Sequence, residues 1–361
     1  MDEQTIYTER ISRVRSKIAA LGVEAVLFLD MPNIRYLTGF AGSDGALLVG
    51  ERKSVLLVDG RYITQAGKEV QDVDIMQYRE KTEGITHAVL ENGWKFIGLE
   101  AAALTLQDYL KLKNRALNTE LKPLGEELNS LRMIKDECET SWIRKAAVLS
   151  SRASASVMEI VRPGMTEKEL ALELEFRIRQ GGAEKVSFDI IVASGDNAAL
   201  PHARPGSRRF EEGDFIVLDY GAVCGGYCSD ETCTVALGRI SERQRMVYDI
   251  VREAHDRALA AVKAGVLCRD VDHAARSFIE EKGMGKYFTH GTGHGIGLSV
   301  HEEPRLSPVS ESRLEAGMVI TIEPGVYIPG LWGVRIEDLV LVTSNGCEVL
   351  TSAPKDLLQL P

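Results

Sequence analysis

The sequence predicts an α/β (α+β) protein in two domains, 1–130 and 131–361. Three observations carry this. The chain has 361 residues, a length that suits two domains better than one. Residues 1–125 alternate short apolar runs with helical segments, the pattern of a sheet flanked by helices. After residue 130 the pattern changes to long helices with capping signals, followed by glycine-rich strands that carry acids and histidines.

Taken in order, Ile6, Ile11, Val14, Ile18 and Leu21 are spaced for a helix over 5–21 that ends at Gly22. Ala25–Leu29 reads as a buried strand broken by Asp30-Met-Pro-Asn33, with a short helix leading to Tyr36-Leu37. Ala46–Val49 and Val55–Val58 read as strands paired across Gly-Glu-Arg-Lys. A helix over 60–69, a strand at 73–77, a helix at 82–91 and a strand at Phe96–Leu99 follow. Nothing in residues 1–125 converges on chemistry, so this half reads as a structural or oligomerising domain. Leu131–Glu137 leads into a long helix over 137–161, stopped by Arg162-Pro163-Gly164. Thr166-Glu-Lys-Glu169 is a capping box for a helix that runs to Gly181-Gly182, and Ser187–Ala193 is strand-like. The polar stretch Ser194–Gly206 holds His202, and loops of that length inside a domain are often functional. Ser241-Glu-Arg-Gln244 caps a helix to about 264, and Asp270–Lys282 is a further helix.

Hydrophobic residues make up 44% and charged residues 27% of the chain, the mix of a globular protein. The net charge of −10 argues against nucleic acid or an acidic membrane surface as partner. No apolar run approaches the roughly 18–20 residues of a membrane span. Met1-Asp-Glu-Gln is acidic and lacks an apolar signal region, so the expected location is the cytoplasm. Six cysteines, at 138, 224, 228, 233, 268 and 347, include no Cys-x-x-Cys pair. They read as small apolar fillers; a thiolate metal site at the three near 228 is the alternative.

The stretch Phe215–Leu237 is the centre of the functional reading. Two β-rich runs flank Gly225-Gly226, a tight-hairpin signal. With the turn there, Cys224 opposes Tyr227, Val223 opposes Cys228 and Gly221 opposes Asp230. Asp219 and Asp230 then share a face as diagonal neighbours, with side-chain-free Gly221 opening space between them. Two buried carboxylates this close repel unless they share a proton or a cation. The pair reads either as the floor of a metal site or as two solvated hairpin acids.

Of seven histidines, His87, His255 and His273 fall in helix-like segments and read as structural. His290, His294 and His301 lie within Thr289–Arg305, where glycines on both sides of His294 let the backbone come close to a bound group. Val319–Gly325 and Val334–Asp338 each place a glutamate at the end of an apolar strand, where an ionised carboxylate needs a partner. A hairpin turning near Pro329-Gly330 puts Glu323 and Glu337 on one face; an ion pair with Arg335 is the other reading. Together these residues offer two Asp, two Glu and one His, mostly hard oxygen donors. That set suits two divalent cations, Mn²⁺ or Co²⁺ first and Zn²⁺ or Fe²⁺ next. Two such cations about 3.5–4 Å apart can share a hydroxide and hold it as a nucleophile at neutral pH.

The motifs Asp219-Tyr-Gly, Gly226-Tyr-Cys-Ser-Asp-Glu-Thr232, His290-Gly-Thr-Gly-His-Gly-Ile-Gly297, Ile322-Glu-Pro-Gly325 and Arg335-Ile-Glu-Asp338, in this order and spacing, resemble those of the metal-dependent pita-bread peptidases, family M24. That family includes methionine aminopeptidases, aminopeptidase P and prolidase. The resemblance covers about 137–350. Residues 1–130 resemble the N-terminal domain of aminopeptidase P, prolidase and creatinase, which favours the Xaa-Pro branch. The implied fold is a C-terminal pita-bread domain with a smaller creatinase-like α/β domain before it.

The resemblance implies that Asp219 chelates one metal, that Asp230 and Glu337 bridge both, and that His294 and Glu323 complete the set. His202 and His301 match histidines that flank the substrate, and His290 and Arg335 match residues near the site. Arg305, in His301-Glu-Glu-Pro-Arg305, matches an arginine that can hold a substrate carboxylate. The implied activity is cleavage of Xaa-Pro bonds in dipeptides or at peptide N-termini, with Glu323 relaying the proton, in a homodimer. Cys233 departs from the arginine of many relatives. A methionine or general aminopeptidase is the rival of the same fold. A metal-free binding module, or a hydrolase using the histidines alone, is the rival of another class.

Overall fold

A computed structural model of the chain describes residues 3–116 and 118–361. The chain divides into two compact units, Met1–Leu131 and Arg132–Pro361.

In the first unit, α1 (Glu3–Leu21) buries Ile11, Val14 and Ile18, one stripe of a helix. The run Ala25–Phe28 forms β1, buried on both faces. α2 (Met31–Thr38) carries Pro32 in its first turn and stops at Gly39, whose φ of 78° is the left-handed region a C-terminal glycine supplies. β2 (Ala46–Gly50) and β3 (Ser54–Val58) pair across the expected turn. α3 (Ile63–Glu69), β4 (Asp74–Gln77), α4 (Lys81–Glu91) and β5 (Phe96–Glu100) follow in the expected order. Two elements were not anticipated, α5 (Leu106–Arg115) and β6 (Glu120–Leu124), and a single turn, α6 (Glu126–Asn129), closes the unit. The six strands form one mixed sheet, ordered β4-β3-β2-β1-β5-β6.

The second unit starts with α7 (Glu137–Met158), capped by Asp136 and Glu139, and α8 (Glu167–Gln180), capped by the expected Thr166–Glu169 box. Of the strand-like run 187–193 only the last part is strand, in β8 (Ile191–Ser194); β7 (Lys185–Val186) precedes the run, and residues 187–190 lie outside any strand. β9 (Phe215–Tyr220), β10 (Ala222–Cys224), β11 (Tyr227–Cys228) and β12 (Glu231–Leu237) make up the central hairpin. α9 (Glu242–Ala261) and α10 (Cys268–Glu281) lead to β13 (Gly293–Gly295), β14 (Glu302–Leu306), β15 (Val319–Ile322), β16 (Gly325–Ile328), β17 (Trp332–Arg335), β18 (Asp338–Val342), β19 (Cys347–Val349) and β20 (Gln359–Leu360).

Two helix pairs cover the strands. α7 and α8 bury Val157, Leu170, Leu174 and Ile178 against Val192, Ile216 and Val235. α9 and α10 bury Val247, Val251, Val271 and Ile279 against Ile320, Ile322 and Val340. Each such side chain contributes about 1.5–3 kcal/mol relative to exposure. The helices thereby fix the sheets β20-β12-β9-β8 and β14-β13-β15-β18-β19, which carry Asp219 and His294 and whose strands end beside Asp230, Glu323 and Glu337.

Candidate metal centre

Two hairpins supply the acids. In the first, Cys224 pairs with Tyr227 and Val223 with Cys228, and the same register continues at Tyr220↔Glu231 and Asp219↔Thr232. Gly225 and Gly226 turn with φ of 57° and 82°, the paired positive values of a type I′ turn. Asp219 and Asp230 therefore stand as diagonal neighbours, as expected. The role expected of Gly221 needs correction. A Cβ there would lie 1.9 Å from the Ser229 carbonyl oxygen, so the glycine admits a backbone carbonyl and leaves no open gap between the acids.

In the second hairpin Ile322 pairs with Asp338 and Gly325 with Arg335. These pairs share one register, so Glu323 and Glu337 stand opposite each other where the two ladders meet, on one face. The hairpins are laced directly. The Glu337 N–H donates to the Thr232 carbonyl (3.1 Å), and the Thr232 hydroxyl donates to Glu337 Oε2 (2.6 Å).

His294 lies on β13, between β14 and β15. Cβ atoms on Gly293 and Gly295 would lie 1.9 Å from the Thr321 carbonyl and 2.2 Å from that of Glu303. These glycines let neighbouring strands approach; the group expected beside them is backbone. His294 Nδ1 lies 2.9 Å from the Gly295 carbonyl, which assigns the proton to Nδ1 and turns the Nε2 lone pair inward. That Nε2 is 3.7 Å from Asp230 Oδ2 and 3.6 Å from Glu323 Oε1. Burial lowers the His294 pKa to about 4, so the ring is neutral at pH 7.

The chemistry of this set fits divalent cations. Asp230, His294 and Glu337 each offer a donor atom, all within 4.8 Å of one another. Asp219 Oδ1 and Asp230 Oδ1 are buried with no hydrogen-bond partner, a costly state for carboxylate oxygens without a cation. Burial, then Glu337 and Asp219, pushes the Asp230 pKa far up. Burial, then Glu323 and Asp219, does the same to Glu337. Burial, with the Asp219 charge, pushes Glu323 up to about 7. The one guanidinium seen within this cluster is that of Arg335. Its Nη2 reaches Asp219 Oδ2 (2.5 Å), its Nη1 the Tyr327 hydroxyl (2.8 Å) and the Pro201 carbonyl (3.1 Å), and its Nε the Thr232 hydroxyl (3.1 Å). One monovalent cation against four acids leaves the others to hold protons, or to ionise onto divalent cations.

The other expected residues surround these acids. His290 Nε2 is 3.0 Å from the Tyr327 hydroxyl, and its Nδ1 is 4.0 Å from Glu323 Oε2. Burial and the charge of Arg335 lower its pKa to about 4. His301 is exposed at its rim and packs edge-on against His294, centroids 4.5 Å apart; partial desolvation on that side, then the charge of Arg305, lowers its pKa. Arg305 is the cross-strand partner of His294 and is exposed. His202 is exposed, and the carbonyl of the preceding Pro201 is held by Arg335.

Sequence reasoning missed Tyr327, Thr232 and Thr321. The Thr321 hydroxyl accepts from the His294 N–H (3.1 Å) and donates to Glu323 Oε1 (3.4 Å). Thr232 had a signal, two residues after Asp230 in an apolar strand; Tyr327 had none. Cys233 packs in the core with Tyr220, its sulfur 3.9 Å from the Ser154 hydroxyl. His255, read as structural, is buried in α9 with its Nε2 3.2 Å from Asp338, the residue after Glu337. A surface groove of about 780 Å³ lined by Arg239, Arg245, Met246, Phe278 and Lys282 holds none of these residues. No helix among the described residues is long and apolar enough to cross a membrane.

Comparisons with known proteins bear on this arrangement. A sequence model of metallopeptidase family M24 matches residues 141–344, and one of the creatinase/prolidase N-terminal domain matches 10–134. The Xaa-Pro dipeptidase of Pyrococcus horikoshii is 37% identical, covering 98% of this chain and 99% of that protein. The solved structure of an Xaa-Pro dipeptidase from Bacillus anthracis is 41% identical with a TM-score of 0.95, covering 98% of this chain and 100% of the other. That of an X-Pro aminopeptidase from Thermotoga maritima is 38% identical with a TM-score of 0.88, covering 97% and 100%.

Proposed function

The chain belongs to metallopeptidase family M24, and from that premise we propose that it is an exopeptidase hydrolysing the Xaa-Pro bond of dipeptides with two divalent cations and an activated water. The observation that carries the proposal is the grouping of Asp230, His294 and Glu337, with Glu323 3.6 Å from His294 and Asp219 diagonal to Asp230, around two buried, unpartnered carboxylate oxygens. The two Xaa-Pro dipeptidases of matching length, at 37% and 41% identity, support the choice of proline.

In this reading Asp219, Asp230, His294, Glu323 and Glu337 would hold the ions. When bound, the cations supply Lewis-acid polarisation of a carbonyl and lower the pKa of water. Glu323 takes a proton from the attacking water and passes it to the proline nitrogen. His301, neutral because burial and Arg305 lower its pKa, donates an N–H to the oxyanion, with His202 beside it. His290, Tyr327 and Arg335 form one hydrogen-bonded chain that holds Asp219 and lines the substrate side. Arg305 binds the carboxylate of a dipeptide. The Xaa-Pro amide lacks an N–H and its ring fixes φ, so a dedicated enzyme answers a need that general peptidases do not meet. The proposal includes a homodimer in the cytoplasm; light scattering on the purified protein tests the dimer.

A second reading, removal of Xaa from longer Xaa-Pro peptides, is favoured by the similarity to the Thermotoga maritima aminopeptidase. The test is chelator-treated protein reloaded with Mn²⁺, Co²⁺, Zn²⁺ or Fe²⁺ and assayed on Ala-Pro, Ala-Pro-Ala and Met-Ala-Ala. Turnover of Ala-Pro above the other two is the expected result. Preference for Ala-Pro-Ala selects the second reading, and preference for Met-Ala-Ala, or activity untouched by a strong chelator, refutes both.

A further inference from the structure

Behind the proposed metal centre lies a second buried charge cluster that the reaction does not use. Glu231 follows Asp230, and Asp338 follows Glu337. Successive side chains of extended backbone point to opposite sides, so the two inward-facing acids have two backward-facing neighbours. Lys355 Nζ reaches both, Glu231 Oε1 at 2.8 Å and Asp338 Oδ1 at 3.2 Å. All three side chains are buried, at 8%, 0% and 7% exposure for Lys355, Glu231 and Asp338. The segment carrying Lys355 fastens itself to the same acids. The Ala353 N–H donates to Glu231 Oε1 (2.9 Å), and the Thr351 hydroxyl donates to Asp338 Oδ1 (2.6 Å) while accepting from the Leu339 N–H (3.1 Å).

We infer that Lys355 is a positioning residue for the metal centre: by clamping Glu231 to Asp338 it sets the separation of the two strands that present Asp230 and Glu337. This rests on the proposed reading of those two acids as metal-binding groups. Without the ammonium the bridge between the two buried carboxylates is lost, Asp338 keeping the His255 imidazole at 3.2 Å and Glu231 losing its shared cation, and the front pair moves with its backbone.

The test uses full-length protein with Mn²⁺ as probe, comparing the wild type with Lys355→Met, Lys355→Arg and Thr351→Val. Affinity is measured by chelator competition and folding by thermal melting of the metal-free form. Lys355→Met should weaken Mn²⁺ binding about 10–100-fold, the range for losing a group that orients a metal ligand. Thr351→Val should weaken it less, and Lys355→Arg should restore most of it. A purely structural lysine would lower the melting temperature and leave the affinity of the folded protein unchanged; that result overturns the inference. Should Lys355→Met fail to fold, Thr351→Val decides alone, and wild-type affinity in that variant overturns it. Asp230→Asn and Glu337→Gln serve as controls. If both bind Mn²⁺ like the wild type, the metal-site reading falls instead, and the two failures are told apart.

Discussion

Replacing Glu323 by Gln should stabilise the metal-free protein, and the gain should grow with pH. In the folded chain the Glu323 carboxyl is pushed up from 4.5 to about 7, chiefly by burial and with Asp219 adding to it. Below pH 4.5 the group is protonated folded or unfolded, and it costs nothing. Between 4.5 and about 7 the unfolded chain ionises while the folded chain holds its proton, so stability is lost as pH rises through this window and fully lost above it. At about 1.4 kcal/mol per pH unit the interval corresponds to ~3 kcal/mol. The side chain is 19% exposed, so screening by solvent makes this an upper figure. His290 and His294 act with the opposite sign: their pKa values are lowered to about 4, so they lose stability as pH falls below 6.5. Comparing Glu323→Gln with the wild type cancels that term. The assay is thermal or urea unfolding in chelator at pH 5 and pH 8. A difference of ~3 kcal/mol in a unit of this size corresponds to about 6–12 °C in melting temperature. Equal melting of variant and wild type at pH 8, or a gap that narrows with rising pH, refutes the reasoning. With Mn²⁺ present the order should reverse, because an amide is the weaker ligand.

Other outcomes follow from the same geometry. On Ala-Pro, metal-loaded Glu323→Gln should lose about 10²–10⁴-fold in kcat if it moves the proton; near-normal turnover removes that role. Gly221→Ala should lower stability by about 1–3 kcal/mol or more and weaken Mn²⁺ binding, since the new Cβ meets the Ser229 carbonyl at 1.9 Å; an unchanged melting curve contradicts this. Arg305→Ala should raise KM for Ala-Pro about tenfold or more, a charged hydrogen bond being worth ~1.5–3 kcal/mol, and change Ala-Pro-Ala less. If the site accepts only trans bonds, excess enzyme should leave a slow residue of about 10–30% of a short Xaa-Pro peptide; digestion in a single phase argues against trans selectivity.

The register of both hairpins was legible because turns fix pairing. Gly225-Gly226 and Pro329-Gly330 mark two turns, and the even spacing of Glu323 and Glu337 then sets their shared face. His294 was legible from the glycines beside it, although they serve the packing of β13 against its neighbours. α5 was missed although Leu106, Tyr109 and Leu110 stand at helical spacing; it is a short surface helix that buries only Leu112. β6 was missed because it is the last strand of its sheet, mostly exposed and interrupted by Pro123, as edge strands tolerate. Tyr327, His255 and Lys355 reach the acids only through tertiary packing, and no local pattern in the sequence marks such contacts.

Glu337 is tied to Thr232, a partner 105 residues earlier in the chain. Neither hairpin alone presents a full set of donors, and neither can be stitched to the other until the later one has been synthesised. On the proposed reading of these residues as metal-binding groups, a chain not yet elongated past Glu337 has an incomplete donor set. Cofactor uptake would then report that the last long-range seam of the molecule has closed.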